Sequence, residues 1–360
     1  LMHQKWFRIL ITTILIFVLI YLISITNFVF APLVAYLTAI AVPIIGAGVI
    51  FYVTNPLVNL LEKYKVPRLI SIFIVFLLII TLGFFGVNYI VPIVQDQFNK
   101  LVSNTPSMIS TAEELINLWQ NNQDYIPEQL ETTIQNVTDN LNTYVENITS
   151  FLLDAVGQIF GFVFSFFLIP FFLFFMLKDG YKFVPFITQF LSKAKAKSYK
   201  TLMGDINHTL ASFIQGQFIV SVCVGIMLYI GYVIIDLPYS LTLALFAVLM
   251  NFIPFVGPFL SAVPAVIVGL FQDPILGVWA AVVMIIAQQI ESNFISPNVM
   301  GKVLQIHPLT VITLILAAGG IAGFLGLLFI IPAYAVIKTI ISHFYHEWKK
   351  QQPEDEQDIL

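Results

Sequence analysis

Few side chains in this sequence can do chemistry, and they gather in its last third. Asn251, Pro254, Gly257 and Pro258 fall within one run, Asn-Phe-Ile-Pro-Phe-Val-Gly-Pro. Two prolines and a glycine so close together break a helix. A broken helix offers N–H and C=O groups that bind a polar solute or an ion without any charged side chain. A bend filled by packing is the competing reading, and Pro264 reads as a kink in the arm that follows. Gln288 and Glu291 come next, three apart and so on one helical face. A carboxylate at the edge of an apolar span is a functional candidate by default and can carry a proton. The alternative is a structural or snorkelling carboxylate paired with Lys302. Gly319, Gly320, Gly323 and Gly326 permit left-handed backbone and close approach of a ligand, or serve only close helix packing. His307, before Pro308, either senses pH or caps a helix. Gln215 and Gln217 point in different directions on a helix, so at most one of them faces a cavity.

What is missing also decides. There is no phosphate-binding Gly-Lys-Ser/Thr loop, so this chain carries no signature of ATP hydrolysis. The five histidines are scattered, no metal-ligand cluster can be assembled, and no nucleophile stands near a base. No catalytic residue, metal or cofactor is expected, and the chain does not read as an enzyme.

The elements that position these residues follow from composition. Charged residues are 10% and hydrophobic residues 59% of the chain, with 34 Phe and a single cysteine. A soluble domain carries roughly 25% charge, so that class is excluded. Low net charge with high hydrophobicity excludes disorder. One cysteine excludes a disulfide scaffold, and 16 basic against 20 acidic residues argue against a nucleic-acid partner. The fold class is all-α: a polytopic membrane protein with about six full spans, two re-entrant helical hairpins and an extracytoplasmic helical segment. The full spans are expected at about 9–31, 33–53, 69–94, 151–177, 209–235 and 275–290. The first is too long for a signal-peptide core and no cleavage site follows it, so it reads as a retained span. A turn is expected at 27–32. Pro43, Gly46 and Gly48 mark a bend or a close helix contact in the second span, and Pro170 a kink in the fourth.

Two apolar stretches have the wrong length. Segment 239–271 would be about 50 Å long as one helix, too long for a core of about 30 Å and too short for two spans. Segment 309–337 would be about 44 Å. Each has a helix-breaking middle, so each reads as two short helices meeting at a tip inside the bilayer, which is tolerated where the tip is buried in protein or lines a wet cavity. Paired broken segments are the best sequence pointer to a transporter's binding site.

Charge sets the orientation. Lys5 and Arg8, then Lys63, Lys65 and Arg68 in a loop at 54–68, then six lysines across 178–208, mark the cytoplasmic side. Segment 95–150 has one lysine and eight acids and lies outside, as two or three amphipathic helices forming a cap, a gate or a partner surface. With both hairpins in place, Lys302, Lys338 and the C-terminus fall inside. The chain then divides into N-terminal spans (1–94), the extracytoplasmic segment (95–150), a fourth span with a Lys-rich loop facing lipid headgroups (151–208), a transport region (209–345) and a cytoplasmic tail (346–360).

Specific motifs strengthen this. Gln215-Gly216-Gln217, Leu237-Pro238-Tyr239, the run from Asn251 to Pro258, Pro264-Ala265, Gln288-Gln289-Ile290-Glu291, Pro297-Asn298-Val299-Met300-Gly301-Lys302, Ile306-His307-Pro308, Gly319-Gly320, Gly323, Gly326 and Pro332-Ala333 occur in this order. Their order and spacing resemble the autoinducer-2 exporter family of bacterial membrane proteins, specifically over about 209–337 and by span pattern over 9–208. The resemblance implies a homo-oligomer, a pentamer, in the bacterial inner (plasma) membrane. It also implies secondary export of a small polar solute such as autoinducer-2 by an elevator-type movement of the hairpin region. Other relatives are assigned Na+(K+, Li+)/H+ antiport, the alternative activity, with a monovalent cation and a proton as partners. In the first case Asn251, the first tip, Gln288 and the glycines of the second tip bind solute. In the second Glu291 couples the ions.

Overall fold

The computed structural model describes residues 5–97, 99–100, 103, 163–300 and 306–350. Among them every regular element is helical and no strand occurs. The chain forms two compact units, one from 1–51 with 162–177 and one from 52–161 with 178–360.

In the first unit, α1 (Lys5–Ile25) leads into α2 (Asn27–Lys63), which carries on into the second unit. The break falls at Thr26, one residue ahead of the expected turn at 27–32, and Pro32 lies inside α2. Without water to take up freed backbone groups, a helix is the cheapest state for an apolar run, and it tolerates the one missing proline donor. Pro43 and Ala47 of α2 and Leu173 and Leu177 of α4 (Val163–Asp179) are buried, and a Cβ on Gly46 would lie 3.0 Å from Ile169. Gly46 therefore serves close helix contact, whereas Gly48 faces open space. Large apolar side chains on α1 and early α2 are exposed, Trp6 and Phe28 among them, as expected where lipid is the solvent.

In the second unit, α2 continues to Lys63 and only 64–67 form the turn, so the loop expected at 54–68 is much shorter. An Arg68–Glu62 ion pair of 2.9 Å closes it. α3 (Arg68–Phe85) passes through a π-turn at Gly86–Ile90 and continues as helix over 91–97. The short α5 (Phe183–Thr188) precedes α6 (Lys193–Ile234), which has 42 residues and is about 63 Å long. This helix is the axis of the unit. α7 (Ser240–Met250), α9 (Pro274–Ile290) and α10 (Ser296–Met300) pack along it, with a π-turn at Glu291–Ile295 between the last two, and α8 (Val256–Gln272) packs against α7 and α9. Val220, Val224, Leu228 and Tyr232 of α6 form one core with Leu243, Ala265, Ala280 and Met284.

α7 and α8 form a helical hairpin at the expected 239–271. With 11 residues, α7 is about 17 Å long, too short to cross a hydrocarbon core. α11 (Pro308–Lys350) contains the second reversal, at Ala322 and Gly323, where Gly323 has φ 55° and ψ −139°. Beyond it the chain doubles back: a Cβ on Gly326 would lie 2.2 Å from the Ala318 carbonyl oxygen, and Gly319 lies against Leu327. Among the described residues five helices are long and apolar enough to cross a membrane, Phe28–Lys63, Arg68–Gln97, Lys193–Ile234, Pro274–Met300 and Leu309–Lys349. The last is folded on itself at 322–323. Residues 104–150 of the expected extracytoplasmic segment, the start of the expected fourth span up to 162, Lys302 and the tail after 350 lie outside the described residues.

Candidate functional site

The first tip is built by α7 ending one residue before Asn251. The N–H groups of Asn251, Phe252, Ile253, Val256 and Gly257 all donate within the turn. Phe255 takes φ 65°, a strained value for a side-chain-bearing residue. Gly257 is obligatory, because a Cβ there would lie 2.0 Å from the Met250 carbonyl oxygen. The backbone donors that a broken helix frees are therefore largely spent inside this tip. What remains is the Asn251 side chain. It is buried, and its Nδ2 has no hydrogen-bond partner. Pro254 and Pro258 are half-buried; the Pro258 carbonyl accepts from Ser261 Oγ at 3.0 Å.

α6 supplies the facing wall. Gln217 Nε2 donates to the Asn251 carbonyl, and Gln215 Nε2 donates to the Tyr52 carbonyl at 2.9 Å. The two glutamines do point apart, and each makes an interhelix bond. One turn beyond Gln217, Ser221 is fully buried with an unpartnered Oγ. Sequence reasoning missed it, because a serine in an apolar helix ordinarily bonds its own backbone. It also missed the buried, unpartnered hydroxyl of Tyr232, for which an aromatic residue in a span gives no signal. A buried polar atom left unpaired costs about 1–3 kcal/mol. Asn251 Nδ2 and Ser221 Oγ are each left in that state.

The second tip carries no polar side chain at all. Gly323 is required by its positive φ, and a Cβ on Gly320 or on Gly323 would meet nothing within 4 Å. At those two positions open space, rather than packing, surrounds the backbone. His307 caps the first arm: its Nδ1 accepts from Leu309 N–H at 3.2 Å, and its carbonyl accepts from Thr310 and Val311.

The tips approach along α6 from its two ends. The first hairpin packs at Gly225 through Val248 and reaches Gln217 at its tip. The second hairpin meets α6 at Ser198 through His343, at Thr209 through Thr339 and at Phe213 through Ile331. Phe213, Val311, Ile315 and Ile331 form one buried cluster, against which Val256 of the first tip and Leu327 of the second both pack.

Gln288 and Glu291 sit elsewhere. Gly231 faces Val283 and Gly216 faces Met300, so α9 and α10 run antiparallel to α6. By that register Glu291 is level with residue 224, about 10 Å along the axis from Gln217, and Gln288 lies a turn further. Asn251 and Gln288 are thus not brought together. Gln288 Nε2 and Glu291 Oε2 are buried neighbours without a hydrogen bond of good geometry, while Ser296 Oγ reaches Glu291 Oε1 at 3.4 Å. Glu291 opens a π-turn, an irregularity that recurs at functional sites. Asn293 is spent locally on Gln289. Among the described residues no group of His, Cys, Asp and Glu could hold a metal ion.

Comparison with known proteins decides what this architecture is. A model of the AI-2E family transporter matches residues 8–346. The chain belongs to the AI-2E transporter family. YueF of Bacillus subtilis, which carries a provisional transport-protein name, is 35% identical over 345 residues, 94% of this chain and 93% of its own. YrrI of the same organism, named in the same way, is 25% identical over 334 residues, 92% of this chain and 94% of its own. A sodium-lithium/proton antiporter of Halobacillus andaensis is 24% identical over 312 residues, 81% of this chain and 86% of its own. As an AI-2E family protein the chain is a membrane transporter or permease, and its several long apolar helices fit a multi-pass membrane protein.

Proposed function

We propose that this protein is a secondary transporter that exports a small polar, autoinducer-2-like solute. The observation that carries the proposal is the approach of two helical hairpins along α6 from opposite ends, with their tips packed on one cluster around Phe213. Broken helices meeting within a membrane are a recurrent transport-site architecture. Asn251 Nδ2 and Ser221 Oγ would hydrogen-bond the solute, Pro254, Gly257 and Pro258 would hold the first tip in shape, and Gly319, Gly320 and Gly323 would present bare backbone from the second. Gln288 would act a short distance along the path. On this reading the hairpins are re-entrant, both termini are cytoplasmic, the 209–345 region moves elevator-fashion in the plasma membrane, and the protein is a pentamer. Export of a labelled furanone-type solute from loaded proteoliposomes tests it. Flux that disappears in Asn251→Leu protein of normal thermal stability supports the site, and equal flux in both proteins removes it.

A second reading, cation/proton antiport, is favoured by Glu291, whose Oε2 is shut off from solvent beside Gln288, and by the named activity of the Halobacillus relative. Here Glu291 exchanges a proton for Na+, K+ or Li+. Luminal pH in proteoliposomes holding a proton gradient distinguishes the two. Cation-driven collapse lost in Glu291→Gln establishes antiport, and an unchanged gradient returns the assignment to solute export.

A further inference from the structure

A cleft of about 800 Å³ opens between the first half of α6 and the last turns of α11. It lies toward the lysine-rich end of α6, well away from the Asn251 position. At 63 Å, α6 is about twice the thickness of a hydrocarbon core, so its polar first half has no need to lie in lipid. Lys197 and Asp205 line the cleft from α6, and Lys338, His343, His346 and Glu347 from α11. Ser198, Thr201 and Ser342 add hydroxyls to the lining. The walls are already tied together at two points: Ser198 Oγ lies 2.8 Å from His343 Nε2, and Thr209 Oγ1 lies 3.3 Å from Thr339 Oγ1. The end wall begins at Ala194, in the first turn of α6, where the Ser192 side chain makes no cap and the helix end favours negative charge.

We propose that this cleft binds a phosphate ester that also carries hydroxyl or ammonium donors. The chemistry of the lining selects this class. Lys197 and Lys338 can donate to phosphate oxygens, as can the second ring nitrogen of His343 and of His346, whose first ring nitrogens are held by Ser198 Oγ and by the Ser342 carbonyl. Asp205 and Glu347 disfavour a bare anion and need donors from the ligand. A bare cation would meet two lysines. The volume falls in the range of small-molecule sites, about 300–1,000 Å³. A soluble polyol phosphate and the headgroup of phosphatidylglycerol share this chemistry. The site does not depend on what the hairpins carry.

The test uses full-length Thr201→Cys, Cys223→Ser protein in nanodiscs, with maleimide labelling at position 201 as readout. In phosphatidylcholine discs, millimolar glycerol 3-phosphate is expected to slow labelling at least threefold, and Lys197→Glu to abolish that protection. Protection only when phosphatidylglycerol replaces phosphatidylcholine, again lost in Lys197→Glu, identifies a lipid headgroup as the ligand. No protection by either probe overturns the proposal, as does protection that persists in Lys197→Glu. An unchanged melting temperature of the Lys197→Glu protein distinguishes lost binding from misfolding, and a Lys197→Glu protein that melts early is replaced by Lys197→Gln, for which the same loss of protection is expected.

Discussion

The two hairpin tips solve the same geometric problem with opposite chemistry. The first reverses over five residues, strains Phe255 and spends its backbone donors internally; Gln217 holds the Asn251 backbone carbonyl, and one buried amide side chain is left unpaired. The second reverses at Ala322 and Gly323, the latter at positive φ, and has no polar side chain, only backbone with open space beside Gly320 and Gly323. One tip is a side-chain instrument and the other a backbone instrument. A ligand between them would be recognised by directional bonds from one side and by close approach from the other.

Substitutions can break or sharpen that contrast. The largest effect is expected where both tips share a requirement. In Gly257→Ala and Gly326→Ala a methyl group would meet a backbone carbonyl oxygen at 2.0 and 2.2 Å, and each should lose about 3 kcal/mol, seen as a large drop in melting temperature. If only one does, the tips are not equally rigid. Gly323→Ala meets no steric neighbour but must hold φ 55° with ψ −139°, a sparsely populated combination that favours glycine and costs about 1–3 kcal/mol; a fall in melting temperature no larger than that of the first pair checks this. Gln217→Leu leaves the Asn251 carbonyl without its donor and should cost about 1–3 kcal/mol while loosening the first tip alone, detectable as faster hydrogen exchange over 247–257. The smallest stability effect belongs to Gly320→Ala, which faces open space and gains helix propensity of up to about 1 kcal/mol. A stable Gly320→Ala protein that no longer transports would show that the space beside the second tip is used by the substrate. Unchanged transport would assign recognition to the first tip.

Much of the hairpin architecture was legible because the lengths and breakers were both anomalous. Segment 239–271 matches α7 and α8 almost to the residue, and the break expected in the glycine run of 309–337 is found at 322–323. Helix ends were less legible, because hydropathy reports contact with lipid and not helicity. α6 starts at Lys193, well before the apolar run at 209, and the second arm of α11 runs on to Lys350 through residues that are polar. α2 likewise continues past Thr54 and Asn55 to Lys63. The polar position was half legible. Asn251 stood out by type and neighbours, but Ser221 becomes significant only once packing leaves its hydroxyl unpaired, and the separation of Gln288 from Asn251 is a matter of helix register that spacing along the chain does not encode.

The Gln97 side chain, at the end of the helix that continues α3, accepts from both the backbone N–H and the hydroxyl of Thr242, in the first turn of α7. The carbonyl of one distant side chain thus holds the root of the first hairpin. If that hairpin travels during a transport cycle, the tether must let go on each stroke. Two hydrogen bonds of about 1 kcal/mol each correspond to about a 30-fold brake on the step. Gln97 would then set the tempo of the protein from a position that never meets its cargo.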